Sequence, residues 1–155
     1  MRLSQHILAL MVILPLITNC SEVQTKDITA RLNTKLLSNY NLLRWNNFRP
    51  ISLTQTEKYK QIPVDYAFLK KIKVSQVHQT GMQLSEENTR ADVFYALEFY
   101  DTDTNKIHAA TYHQEWVIEA EYNRTWKLNS PLPDFKAILD ASRKAREPKI
   151  KIIEY

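Results

Sequence analysis

Cysteine occurs once in the 155 residues, at Cys20, so no internal disulfide can form and the chain has a single thiol. Histidine offers little more. His108 and His113 lie an odd number of residues apart in what reads as one strand, so they leave opposite faces and cannot share a metal ion. His113 and Glu115 are two apart and share a face, the spacing of a surface pair. A general base needs a positioned partner and a shifted pKa, and no local motif supplies either. The G-x-S-x-G pattern of a serine nucleophile is absent. Glycine occurs once, at Gly81, which argues against glycine-rich phosphate loops and dinucleotide fingerprints. These residue types predict no catalytic set, no metal site and no cofactor.

The elements that must position these side chains centre on residues 91–130. Ala91 to Tyr100 reads as a strand, with Val93, Tyr95, Leu97 and Phe99 on one face and Asp92, Phe94, Ala96, Glu98 and Tyr100 on the other. Asp101 to Asn105 is a turn of short polar residues that tolerate positive φ. Ile107 to Glu119 is the second strand. Ala110, Tyr112, Gln114, Trp116 and Ile118 share its inner face, while His113, Glu115, Val117 and Glu119 face water. A second turn at Glu121-Tyr122-Asn123 leads to a strand over Arg124 to Asn129, with Trp126 and Leu128 inward. Pro131 and Pro133 end it, since proline cannot donate to a ladder. One face of this antiparallel meander is apolar and must be covered by helices.

The rest of the chain supplies candidates for that cover. Lys26 to Trp45 reads as a helix with an apolar stripe at Ile28, Leu32, Leu36, Tyr40 and Leu43, closed by Arg49-Pro50. Thr54-Gln55-Thr56-Glu57 matches a capping box and predicts a short helix to Gln61, broken at Ile62-Pro63. Tyr66 to Gln79 reads as the first long strand, with Phe68, Ile72 and Val74 inward and Lys71 and Lys73 guarding an exposed edge. Thr80-Gly81-Met82 is a turn or bulge, and residues 85–88 are a polar loop. Asp134 to Arg146 reads as a helix with Phe135, Ile138 and Leu139 on one side, and Ile150 to Tyr155 as a short strand or a tail. The formal net charge of +4 is mild and scattered, which argues against nucleic-acid binding.

The N-terminus carries its own signal. Arg2 precedes an apolar run from Ile7 to Leu16, too short to span a bilayer but suited to a secretory signal. Leu16-Ile17-Thr18-Asn19-Cys20 resembles a bacterial lipobox, with Asn19 where glycine, alanine or serine is usual. The resemblance implies a signal peptide over residues 1–19, acylation of Cys20, and a lipidated tether over 20–25. Ser21 after the cysteine, with no aspartate there, implies sorting to the outer membrane, facing the periplasm.

The order of elements, with QEWVIEAEYNRTWKLNSPLPDF closing the sheet and Trp126 and Leu128 as its core pair, resembles the NTF2-like (cystatin-like) α+β cone. The resemblance covers Lys26 to Phe135 and implies one domain over 26–147, followed by a tail over 148–155. The second helical region departs from the pattern, being short and interrupted by Pro50 and Pro63, so the helical lid is expected to be incomplete. Enzymes of this fold place an acid, histidine or tyrosine inside the cone, which here would be Asp65, Tyr66, His78, Glu98, Tyr112 or His113. Two functions follow from the resemblance. One is an anchored envelope lipoprotein that docks another envelope protein without catalysis. The other is a small hydrophobic ligand binder, or an isomerase- or dehydratase-type enzyme, using the cone interior. They differ in whether Tyr95, Tyr112, Trp116 and Trp126 plug the cone or line it.

Overall fold

The alternating runs pair as one antiparallel sheet in the computed structural model, which describes residues 26–119 and 125–144. Its strands are β1 (Ile72–Leu84), β2 (Arg90–Asp101), β3 (Ile107–Glu119) and β4 (Thr125–Leu128), each beside the next in sequence. The helices are α1 over residues 26–44, α2 (Phe48–Leu53), α3 (Glu57–Lys60), α4 (Tyr66–Leu69) and α5 (Phe135–Lys144). The class is α+β, an open curved antiparallel sheet with helices, as the alternation predicted. The turn at Glu121-Tyr122-Asn123, Cys20 and its tether, and the segment after Lys144 lie outside the described residues.

The inner face is the one read from the sequence. Ala91, Val93, Tyr95, Leu97 and Phe99 of β2 are buried, as are Tyr112, Gln114 and Trp116 of β3 and Trp126 and Leu128 of β4. Leu32, Leu36 and Leu43 of α1, Phe48 and Ile51 of α2, and Phe135 and Leu139 of α5 join the same core. Phe135 packs edge-on against both Phe48 and Phe99, with ring centroids 5.6 and 4.7 Å apart. Fully burying one such side chain contributes about 1.5–3 kcal/mol, so this face is the main source of stability. The Trp126 indole N–H also donates to the Ile28 carbonyl at 3.0 Å, tying β4 to α1.

Asparagine does the work usually left to glycine. Every described residue with positive φ is an asparagine: Asn46, Asn88 and Asn105. Asn is the ordinary side-chain-bearing choice for that region. Asn46 ends α1. Its N–H donates to Leu43 and that of Asn47 to Leu42, the paired bonds of a Schellman cap. The Asn46 carboxamide oxygen then accepts from the Val74 N–H, where β1 shifts register. Gly81 lies at a second register shift of β1, so the bulge reading holds, and its backbone φ is not positive.

Three local readings are corrected. Arg49-Pro50 does not end a helix. Both lie in the first turn of α2, where the missing proline N–H has no intrahelical acceptor in any case. Thr54 does not start a helix but caps the end of α2, its hydroxyl donating to the Ile51 carbonyl. Gln55 instead bridges Leu128 in parallel, while Thr56 N–H donates to the Leu128 carbonyl and Leu128 N–H to that of Thr54. That contact covers the free edge of β4 and overrides the capping box. Finally, residues 66–69 are helix, not strand, because Asp65 caps them by accepting from the Phe68 N–H at 2.9 Å. Phe68 is therefore not part of the β1 inner face.

If Trp126 closes the core in this way, Trp126→Ala lowers stability by about 3–5 kcal/mol, the usual range for a buried aromatic. Urea unfolding of the purified protein reads this directly. An unchanged midpoint would contradict the packing.

Candidate functional site

The antiparallel register of β2 and β3 builds two side-chain groups, one on each face. On the outer face Asp92 lies opposite Glu115, and Phe94 opposite His113. His113 Nε2 is 2.7 Å from Asp92 Oδ1, and the imidazole stacks on the Phe94 ring at 4.7 Å with planes 13° apart. Arg90 Nε lies 2.9 Å from Glu115 Oε1 and 3.7 Å from Asp92 Oδ2. The other Glu115 oxygen accepts from the Asn129 carboxamide at 2.8 Å. Asn129 N–H donates to the Glu115 carbonyl and Glu115 N–H to the Ser130 hydroxyl, which fixes the end of β4 to β3. His113 thus pairs across the strands with Asp92, and Glu115 takes Arg90 and Asn129 instead. This face is exposed or half-buried, with Phe94 43% exposed. It presents an aromatic ring, an imidazole and alternating charges held in fixed positions, an arrangement suited to recognising another surface.

On the inner face the indole N–H of Trp116 fixes a chain of amides. As a donor only, it requires the Gln114 oxygen, at 3.0 Å, and so turns the Gln114 nitrogen to the Asn39 oxygen at 2.8 Å. That leaves the Asn39 nitrogen buried with no hydrogen-bond partner among the described residues. The Tyr95 hydroxyl is in the same position. Tyr112, directly opposite Tyr95, donates its hydroxyl to the Pro131 carbonyl at 2.9 Å. Burial pushes the Tyr95 phenol up to about 12. Burial also raises Tyr112, with the Gln114 amide opposing the shift and Tyr95 adding to it. Both phenols are neutral at ordinary pH.

The other residues singled out from the sequence do not converge. Asp65 caps α4, and the Tyr66 hydroxyl lies 2.8 Å from that of Ser52. His78 is exposed, 3.1 Å from the Gln76 amide. Glu98 is half-buried on the outer face. His108 stacks on Phe99 at 5.5 Å, on the face opposite His113. Among the described residues no group of three His, Cys, Asp or Glu is placed to hold a metal ion. Asp92, Phe94 and Arg90 were missed as partners of His113 and Glu115. The signal was present, because centring the β2–β3 turn on residues 103–104 sets the cross-strand register. A cleft of about 390 Å³ near α5 gathers Asp65, Asp101, Asp103 and Asp140, but Lys71, Lys136 and Arg143 line it too. Lys71 pairs with Asp103 at 2.7 Å, and Asp101 is occupied by its own turn, accepting from the Asp103 N–H. No protein-family model matches the chain, and no curated protein matches it in sequence.

The two tyrosines separate in their expected behaviour. Tyr95→Phe removes a buried hydroxyl that has no partner among the described residues, whose burial costs about 1–3 kcal/mol, and is expected to leave stability unchanged or raised. Tyr112→Phe loses a made bond and is expected to cost about 1 kcal/mol. The pH dependence has a definite sign. The Tyr95 phenol, ordinarily at 10.0, is held near 12 in the fold, so the unfolded chain loses its proton first as pH rises. Its contribution is intact below pH 10 and declines as pH climbs towards 12. Chemical denaturation at stepped alkaline pH should show stability falling in that window, less steeply in Tyr95→Phe.

Proposed function

We propose that the protein is an envelope lipoprotein, acylated at Cys20 and held at the outer membrane facing the periplasm, whose NTF2-like α+β domain docks another envelope protein through the open face of its sheet. The observation that carries the docking role is the outer-face network of Arg90, Asp92, Phe94, His113, Glu115 and Asn129, set opposite a face closed by buried aromatics. Support for the anchor comes from the sequence: a short apolar run, then the lone cysteine, then the chain of α1, helical over the described residues 26–44. The order of helix, short helices and tryptophan-bearing meander supports the NTF2-like reading of the α+β class.

A second reading places a small hydrophobic ligand, or an isomerase- or dehydratase-type reaction, in the interior. One observation favours it: the Asn39 nitrogen and the Tyr95 hydroxyl are buried polar donors with no partner among the described residues. The docking reading is preferred because Tyr95, Tyr112, Trp116 and Trp126 are themselves core residues, and His78, Glu98 and His113 sit on the other face.

Two measurements test the proposal. Labelling cells with a palmitate analogue should mark the wild type and not Cys20→Ala; an unlabelled wild-type protein in a bacterial host would contradict the anchor. Photo-cross-linking from the outer face in intact cells should capture one defined envelope partner. The triple replacement of Glu115, Glu119 and Lys127 by alanine should remove it, because interface energy concentrates in a few anchors within a larger patch. Turnover of a small hydrophobic substrate that depended on Tyr95 or Asn39 would overturn the docking reading.

A further inference from the structure

The three tryptophans differ in environment. Trp116 and Trp126 are buried, at 0% and 2% exposure, whereas Trp45 at the end of α1 is 76% exposed. It does not stand alone. Leu37 and Leu53 are 63% and 68% exposed. Leu37, Asn41 and Arg44 recur at four and three along α1, so they share one face, turned away from the buried Leu32, Leu36 and Leu43. Arg49 and Leu53 share an exposed face of α2 in the same way. The charge of this layer is one-sided. Between Asp27 and Glu57 the chain has no Asp or Glu but carries Arg31, Lys35, Arg44 and Arg49. Arg31 is paired with Asp27 at 2.8 Å. The outer face of the sheet differs in kind, since Arg90 and Lys127 there are interleaved with Asp92, Glu115 and Glu119.

Exposed tryptophan and leucine beside arginines, with no carboxylate between them in sequence, match the chemistry of a bilayer interface. An indole ring settles at headgroup depth and cations meet phosphates. We propose that the exposed side of α1 and α2, centred on Leu37, Arg44, Trp45 and Arg49, is a contact surface for an anionic phospholipid bilayer. Its orientation rests on the anchored reading above. From an acylated Cys20, residues 21–25 reach at most about 18 Å, while α1 runs on for about 28 Å. A helix held that close to the bilayer can lie along it. The open face of the sheet, on the far side of the core from α1, then points away from the membrane towards a docking partner.

The test uses the mature protein purified from membranes and reconstituted into vesicles of brominated phosphatidylglycerol or brominated phosphatidylcholine. With the other two tryptophans buried, quenching reports on Trp45. Phosphatidylglycerol vesicles should give a blue shift and a larger loss of emission than phosphatidylcholine vesicles, and Trp45→Phe should remove the quenchable component. Arg44→Gln with Arg49→Gln should abolish the difference between the two lipids, as should 1 M salt, where the Debye length falls to about 3 Å. Equal quenching in both lipids, or none, overturns the proposal, as does shielding of Trp45 that appears only when envelope proteins are added. The anchor is scored separately by intact mass. If no acyl group is present, phosphatidylglycerol-dependent quenching of the unacylated protein still decides whether the surface binds lipid.

Discussion

The structure depends on one constraint: the apolar face of a curved antiparallel sheet has to be covered, and here the cover is pinned by indole N–H groups. Trp126 donates to the Ile28 carbonyl of α1, and Trp116 sets the Gln114–Asn39 chain that meets the same helix further along. Hydrophobic burial alone would let a helix slide along a greasy face. Two donors aimed at fixed acceptors select one register. The same chain leaves the Asn39 nitrogen without a partner among the described residues, a cost that the surrounding aromatic burial offsets.

From this arrangement the two faces acquire different roles. The inner face is committed to packing, and its tyrosines are held neutral by burial. The outer face has no such task, yet its side chains are ordered. A half-buried Glu115 gathers Arg90 and Asn129, and the His113–Phe94 stack lies beside Gly81. Exposed ion pairs contribute only about 0–1 kcal/mol each, so stability alone is a weak reason to keep so many in register. Fixed geometry on a free surface is what recognition requires, and that consideration underlies the docking proposal.

Much of this was legible in the sequence where one periodicity dominated. β2 and β3 match their reading to within a residue, and the α1 stripe identified its buried leucines. The reading failed where long-range contacts decided. Thr54 to Glu57 carries a capping-box pattern, but Gln55 and Thr56 are drawn onto the edge of β4 by Leu128 and Asn129. Tyr66 to Gln79 reads as one long strand, yet the Asp65 cap makes residues 66–69 helical. The αL residue that ends α1 was missed because an asparagine, unlike a glycine, does not announce positive φ. Same-strand spacing suggested a His113–Glu115 pair, whereas pairing across the turn gave each a different partner.

The central claim is that the chain's own aromatic side chains close the inner face, as the docking proposal requires. The most direct measurement is a titration with xenon or indole, followed by the indole N–H resonances of Trp116 and Trp126. The account predicts no saturable shift at either resonance and no gain in thermal stability. Saturable shifts at both, accompanied by stabilisation that Tyr95→Phe or Asn39→Leu abolishes, would contradict it and place a binding site beneath α1.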